Sequence, residues 1–308
     1  MATIDGRTRH FGDFYGVAEP SRDSRPVLLV WGNCQAEALR ILLSTVDELP
    51  FRTVRVPAVH ELTEADVSHV RRLAEITSVL LSQPIRTGYN DMPLGTDDVA
   101  GMMTPGGRVI RWPVVYYSGL EPFSAIVRDP ADPGADPPVV PYHDLRTLTL
   151  AAGARPEWDV DVPAATVREA AEFSLAELRR REQAGTDIAV SDLIEDAGAD
   201  AMHTINHPGN SVLGALAERV LDALAAPGRV PERERALLGT TLAPRERRVL
   251  DALGLPADAV RTHWEHDRTE FSMEAVREAQ LSHYAEHPAL VQAGLQRHAE
   301  LIDLLGLR

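Results

Sequence analysis

The sequence predicts an α/β protein with a parallel β-sheet in its N-terminal half and a mostly helical C-terminal half. Between residues 25 and 145, short apolar runs that end in glycine or polar residues alternate with segments of helical periodicity. After a proline-rich stretch at 129–141, the apolar periodicity is helical. We therefore expect an N-terminal segment at 1–24, a sheet unit at 25–145 and a mainly helical part at 146–308.

Four strands are predicted in the first half. They are 27–31 ("VLLVW"), 51–59 ("FRTVRVPAV"), 77–85 ("TSVLLSQPI") and 107–117 ("GRVIRWPVVYY"). Helices are predicted between them, at 36–46 and at 62–76, the second opened by Thr63 as its N-cap. Strands that alternate with helices favour parallel pairing through crossover connections.

The second half is predicted to contain amphipathic helices. One or two lie in 166–184, one in 211–225, and two in 273–307 with a break near His287 and Pro288. No internal repeat or heptad pattern is visible.

Composition excludes several classes of function. The net charge of −15 argues against nonspecific binding to nucleic acid, which requires a basic face. The chain has no lysine, which excludes Schiff-base chemistry and a Walker A phosphate loop. We expect no signal peptide and no membrane span, and the single cysteine fits a cytoplasmic protein.

That cysteine, Cys34, stands in the sequence "WGNCQ" where the first strand turns into a helix. Gly32 permits a tight turn, and the N–H groups of a helix start favour a thiolate or receive an oxyanion or a phosphate. Asn33 and Gln35 add side-chain amides. The arrangement is analogous to the Gly-Asp-Ser turn of hydrolases, so the fold is expected to be Rossmann-like or SGNH-like. A small buried cysteine that only packs between helix and strand is the alternative.

A second candidate cluster is the sequence "MHTINHPGN", with Asn206 and His207 just before a predicted helix. Pro208 restricts His207 to an extended conformation, and Asn210 or Ser211 is a natural N-cap. A histidine fixed in this way suits a general base. No histidine or cysteine spacing matches a metal site, so we expect no metal.

Five motifs in order resemble the WcbI family of polysaccharide biosynthesis enzymes: "WGNCQAEAL", "LLSQPIRTGY", "VIRWPVVYYSGLEPF", "LAELRRREQAGTDIAVSDLI" and "HTINHPGNSVLGALAERVLDAL". The resemblance covers roughly residues 26 to 225. It implies a cytoplasmic protein that binds coenzyme A and is proposed to acetylate a sugar. It marks a set of site positions: Gly32, Asn33, Cys34, Gln35, Gln83, Tyr89, Asn206, His207 and Pro208.

From these residues we expect an acyl-CoA-dependent O-acyltransferase with Cys34 and His207 at its site. Backbone N–H groups at 33–35, with Asn33 or Gln83, are the candidate oxyanion donors. The candidate ligands for the phosphates of the coenzyme are Arg86, Arg108 and Arg111. Cys34 is expected either to carry the acyl group or only to position the donor.

Two other functions fit the same residues. One is a Cys–His thioesterase or esterase with water as the acceptor. The other is a noncatalytic protein that binds coenzyme A or a nucleotide. For the transferase we expect the acceptor to be a sugar or an intermediate of secondary metabolism, and the sequence is compatible with a homo-oligomer.

Overall fold

The computed structural model describes residues 5–19 and 22–308, which form two compact units interleaved along the chain. The sheet unit comprises the described residues up to Val115, with Arg179–Glu195 and Asn210–Leu237, and the second unit comprises Tyr116–Leu178, Asp196–Gly209 and Leu238–Arg308. Segments 179–195 and 210–237 therefore belong with the sheet, although the sequence analysis assigned them to the helical part. Their distance from the sheet in sequence concealed this.

The helices and strands are these, in chain order. The helices are α1 Gly6–His10, α2 Gly12–Tyr15, α3 Cys34–Leu43, α4 Val67–Ala74, α5 Thr96–Gly101, α6 Leu145–Ala151, α7 Ala164–Gln183, α8 Ser191–Ala197, α9 Asn210–Leu224, α10 Arg247–Leu253, α11 Met273–Glu286, α12 Pro288–Arg297 and α13 Ala299–Leu304. The strands are β1 Val27–Trp31, β2 Arg52–Thr53, β3 Thr77–Ser82, β4 Arg108–Arg111, β5 Ser124–Ala125, β6 His143–Asp144, β7 Met202–Thr204, β8 His207–Pro208, β9 Thr241–Leu242, β10 His263–His266 and β11 Thr269–Ser272.

The sheet unit contains a four-stranded parallel sheet in the order β2-β1-β3-β4, which confirms the predicted α/β class. All five residues of β1 are buried, and β3 is buried almost throughout. A parallel strand covered on both faces needs such a continuous apolar run. The register aligns Trp31 with Ser82 and Ser82 with Arg111, so β1, β3 and β4 end at one edge.

Two predicted strands are shorter than expected. In the segment 51–59 only Arg52–Thr53 pairs with β1. In the segment 107–117 the strand ends at Arg111, since Pro113 lacks the N–H that a further ladder bond would need. The predicted helix after Thr63 is present as a 3₁₀ turn, Glu64–Asp66, that leads into α4.

Helices cover the sheet, and the described part of the N-terminal segment contributes to that cover. Phe14 on α2 is completely buried among sheet and helix side chains such as Leu29 and Val70. Residues 1–4 and 20–21 of the predicted 1–24 segment lie outside the described residues. Helix α3 packs on α9, which contributes buried Leu213 and Leu216.

The second unit has two apolar cores. One gathers α6, α10 and the C-terminal helices around residues such as Leu148 and Ile302. The other lies under the antiparallel sheet β11-β10-β9, around Tyr142 and Trp264. The predicted break near His287 and Pro288 is present, and a further break at His298 divides the last segment again. In the described part of the chain, no helix is both long and apolar enough to cross a bilayer.

Glu121 is an unusual group in this unit. It is 5% exposed, and neither carboxylate oxygen has a hydrogen-bond partner among the described residues. Burial raises the pKa of Glu121 to about 8, although the charges of Arg245 and Arg261 act in the opposite direction. The effect of burial on the pKa is the larger one, because the carboxylate loses its hydration without gaining a hydrogen bond.

We expect Glu121 to make the stability of the protein fall as the pH rises. The folded carboxyl holds its proton up to about pH 8, while the unfolded one releases it near 4.5. Over that window its contribution to the free energy of unfolding decreases by about 1.4 kcal/mol per pH unit. Urea unfolding of the wild type and of Glu121→Gln at several pH values measures this difference. Glu169→Gln, an exposed position in the same unit, is the control. Parallel pH curves for wild type and Glu121→Gln would contradict the expectation.

Candidate functional site

The "WGNCQ" motif forms the expected turn at the carboxyl edge of the sheet. Strand β1 ends at Trp31, Asn33 is the N-cap of α3, and Cys34 is its first residue. The side-chain oxygen of Asn33 accepts a hydrogen bond from the Gln35 N–H at 2.9 Å. This bond satisfies one of the N–H groups that a helix start leaves without a partner.

Gly32 is required because the side chain of Gln83 lies directly against it. A Cβ atom at Gly32 would lie 2.3 Å from Gln83 Oε1 and 2.8 Å from its Cδ. That oxygen accepts the backbone N–H of Asn33 at 2.9 Å, and the Gln83 N–H donates to the Trp31 carbonyl at 2.9 Å. Close approach across two strand ends therefore fixes the backbone that leads into Cys34.

The two glutamines form a buried amide network. Gln83 Nε2 donates to Gln35 Oε1 at 3.2 Å, and Gln35 also exchanges two hydrogen bonds with the backbone of Val115, at 2.7 and 3.0 Å. Gln35 and Gln83 are 0% and 1% exposed. Their side-chain amides hold the turn together. The backbone N–H groups of Asn33 and Gln35 both donate hydrogen bonds to side-chain oxygens within the turn. These are two of the groups predicted from sequence as oxyanion donors, and both are therefore already engaged. Among the described residues, the NH₂ group of Asn33 makes no hydrogen bond, which leaves it available to a ligand.

The expectation of a lowered thiol pKa is wrong. Burial raises the pKa of the Cys34 thiol, the N–H groups of Gln35 and Cys34 lower it by less, and the charge of Glu61 raises it again. Desolvation therefore outweighs the helix start, and Cys34 rests as a neutral thiol near pH 7.

A cavity of about 370 Å³ adjoins the turn within the sheet unit. Its lining combines predicted site residues with apolar side chains: Gly32, Asn33, Val59, His60, Gln83, Pro84, Ile85, Arg86, Tyr89 and Val114. Arg108 and Arg111 are not in the lining. Arg108 begins β4 at the opposite end from the turn, and Arg111 is ion-paired with Asp97 at 2.6 Å. Of the three predicted phosphate ligands, only Arg86 lines the cavity.

Asn206 and His207 belong to the second unit, where they lie in a tight β-hairpin. Thr204 pairs with His207 across it, so the extended conformation expected before Pro208 is present. Gly209 follows because a Cβ there would lie 2.1 Å from the Asp200 carbonyl oxygen. The side chain of Asn210 does not act as an N-cap of α9. Its amide bonds the backbone of Arg233, Arg235 and Leu237 instead.

Burial lowers the pKa of His207 to about 4, and nearby His203 acts in the same direction. The imidazole is therefore uncharged at neutral pH and can accept a proton. Tyr142 supports this hairpin: its hydroxyl lies 2.7 Å from Thr204 Oγ1 and donates to Asn206 Oδ1 at 2.7 Å.

Sequence reasoning missed His60 and Tyr142. His60 follows the short strand β2 and lies toward the same edge of the sheet as Cys34. Ligands of parallel sheets bind at the carboxyl ends of the strands, so polar residues that follow a strand are candidates, and His60 could have been predicted in this way. Tyr142 follows the proline-rich loop, and no sequence signal connects it with Asn206. In the part of the chain that the structure describes, no group of three or more His, Cys, Asp or Glu side chains is arranged to hold a metal ion.

Residues 27–229, well over half of the chain, match the family described as polysaccharide biosynthesis enzyme WcbI. The protein belongs to the WcbI family. No curated protein matches its sequence. Among solved structures it is similar to native WcbI, a novel polysaccharide biosynthesis enzyme, in a form without a disulfide bond between coenzyme A and a cysteine of that protein. The two chains are 18% identical with a TM-score of 0.73, over 92% of this chain and 99% of that one. At this identity the likeness establishes the fold.

Substitution of Gly32 tests the tight packing in this WcbI family protein. We expect Gly32→Ala to displace Gln83, break its bond to the Asn33 N–H and lower the free energy of unfolding by about 1–3 kcal/mol. Thermal or urea unfolding measures the loss. Gly101→Ala is the matched control, since a Cβ there meets nothing within 4 Å. Equal stability of the two variants would show that Gln83 is not held against Gly32.

Proposed function

We propose that the protein is an acyl-CoA-dependent O-acyltransferase that acts on a hydroxyl of a sugar or another small molecule. The observation that carries the proposal is the placement of the single cysteine directly after Gly32 and Asn33, two residues of a rigid turn that line a cavity in a WcbI family chain. A turn fixed by buried amides can hold a thioester in one orientation, which is the main requirement for acyl transfer.

The cavity suits part of coenzyme A. Val59, Ile85 and Val114 offer an apolar wall to the pantetheine arm, and the amide of Asn33 offers a donor to a thioester or amide carbonyl. The similar WcbI structure is a native form without a disulfide bond between coenzyme A and a cysteine of that protein, and a coenzyme thiol beside a cysteine sulfur would suit the present cavity. In this chain Cys34 is the only residue that can play that part.

The chemistry is a two-step transfer. The sulfur of Cys34 attacks the thioester carbonyl, the new S–C bond forms, and the C–S bond to coenzyme A breaks as the leaving thiolate takes up a proton. An acceptor hydroxyl then attacks the acyl-cysteine, the S–C bond breaks, and Cys34 recovers its proton from the acceptor. If Cys34 only positions the donor, the acceptor hydroxyl attacks the thioester directly.

His207 is proposed as the base that removes the proton from the attacking group. Burial keeps both the thiol and the imidazole uncharged at rest, as the directions of their pKa shifts indicate. Neither group is charged before the reaction, so a proton that His207 accepts moves during the attack.

We also propose a cytoplasmic location, in the compartment that supplies acetyl-CoA, and an acceptor from polysaccharide assembly or secondary metabolism.

Release of coenzyme A from acetyl-CoA, followed with a thiol reagent, tests the proposed transferase activity in the presence and absence of hydroxylated acceptors. Acceptor-dependent release supports a transferase, and acceptor-independent release indicates a hydrolase. Binding without release indicates a noncatalytic coenzyme A-binding protein.

We expect Cys34→Ala to abolish turnover and leave the fold intact, because the substitution removes the sulfur and retains the α3 start. Steady-state rates and thermal unfolding measure the two effects. Cys34→Ser is the matched variant, since it keeps the size of the side chain and replaces the sulfur with a weaker nucleophile. Wild-type rates in the alanine variant would remove Cys34 from the mechanism.

We expect His207→Ala to lower kcat by roughly 10²–10⁴-fold, as loss of a general base does. His263→Ala, in strand β10 of the same unit, controls for the loss of an imidazole elsewhere. A decrease in kcat of less than about tenfold would assign His207 a structural role.

A further inference from the structure

The cavity beside the turn carries two basic side chains and no carboxylate. His60 and Arg86 are both in its lining, which contains no Asp or Glu. In a protein of net charge −15, a cavity whose lining holds two basic side chains and no carboxylate differs from the overall charge balance. We infer that this cavity binds a phosphate ester, with the phosphate held by Arg86 and His60. The inference rests on the proposed function, which supplies a phosphorylated ligand.

Arg86 lies on a loop that is fastened on both sides. Ile85 exchanges hydrogen bonds with Thr96, from its N–H to Thr96 Oγ1 and from the Thr96 N–H to its carbonyl, both at 3.0 Å. Two residues beyond Arg86, the Gly88 N–H donates to Asp98 Oδ2 at 2.8 Å. The backbone of Arg86 also lies so close to Gly95 that a Cβ there would be 2.5 Å from its carbonyl oxygen. The loop therefore presents Arg86 from a fixed position.

The side chain of Arg86 is not engaged within the protein. Among residues 5–19 and 22–308, its guanidinium has no ion pair or hydrogen bond, whereas Arg111 at the same edge of the sheet is paired with Asp97. The exposed guanidinium keeps its planar set of donors, which matches two phosphate oxygens.

His60 comes from a second fixed segment. The 3₁₀ turn Val59–Glu61 is tied to the "WGNCQ" turn by the Val59 N–H, which donates to the Gly32 carbonyl at 2.9 Å. The imidazole is exposed on the cavity rim and, in the described residues, has no hydrogen bond or ion pair. It provides an N–H donor on a different segment from Arg86, and the Asn33 amide lines the same cavity.

Two sources of phosphate are consistent with this chemistry: coenzyme A and a phosphorylated sugar acceptor. Isothermal titration of the full-length protein with coenzyme A, pantetheine, glucose 1-phosphate and inorganic pyrophosphate distinguishes them. Each ligand is titrated into wild type, Arg86→Gln and His60→Gln. Arg71→Gln, an exposed arginine on α4 of the same unit, is the control for loss of one positive charge.

We expect Arg86→Gln to weaken pyrophosphate binding about tenfold and His60→Gln to weaken it about threefold to tenfold, with Arg71→Gln near wild type. Pantetheine, which has no phosphate, should bind all four proteins equally. If coenzyme A affinity falls by similar factors in the two variants, coenzyme A is the source of the bound phosphate. If only the affinity for glucose 1-phosphate falls, the phosphate belongs to the acceptor.

Dissociation constants within about twofold of wild type for every phosphorylated ligand, in both variants, would overturn the inference. In that case the turnover of wild type and Cys34→Ala still decides the proposed function. Conversely, failure of the wild type to bind coenzyme A would reject the proposed function, and the pyrophosphate titrations would still decide the inference.

Discussion

The contact between Gln83 and Gly32 is the constraint on which the rest of the candidate site depends. Two adjacent parallel strands end at the same level, and the side chain that leaves β3 occupies the space where a Cβ on the turn would be. The hydrogen bond from the Asn33 N–H to Gln83 Oε1 fixes the direction in which α3 starts. Because both glutamines are buried and bonded, moving either would leave a polar group without a partner in the interior, at a cost of about 1–3 kcal/mol.

Burial of the turn raises the pKa of the Cys34 thiol. A helix N-terminus stabilises a negative charge by about 0.3–1 kcal/mol, which is less than one pKa unit. Burial shifts a pKa by up to about 3–5 units. At Cys34 the second effect is larger, and the pKa is raised. A neutral thiol is protected from adventitious oxidation and requires a base at the moment of reaction.

Much of the sheet unit could be predicted from sequence, for physical reasons. A fully buried parallel strand must be apolar throughout, so β1 and β3 could be predicted from their continuous apolar runs. The Gly-Asn pair at the end of β1 indicates where α3 starts. The family resemblance marks Gln35 and Gln83 as candidate site positions, but a sequence does not show whether an amide faces a ligand or a neighbouring amide. The hairpin β10–β11 was missed because His263–Ser272 contains few apolar residues to set a period of two. The interleaved units were missed because segments distant in sequence complete each one.

We propose that the pantetheine end of coenzyme A lies against Cys34. Alkylation of Cys34 by iodoacetamide, followed by intact mass in the presence of increasing S-methyl-coenzyme A, tests this most directly, because this form of coenzyme A has no free thiol to consume the reagent. We expect it to slow alkylation about tenfold at about ten times its dissociation constant, and the same concentration of adenosine to leave the rate unchanged. Alkylation at one rate with and without bound coenzyme A would place the carrier away from the sulfur and contradict the account.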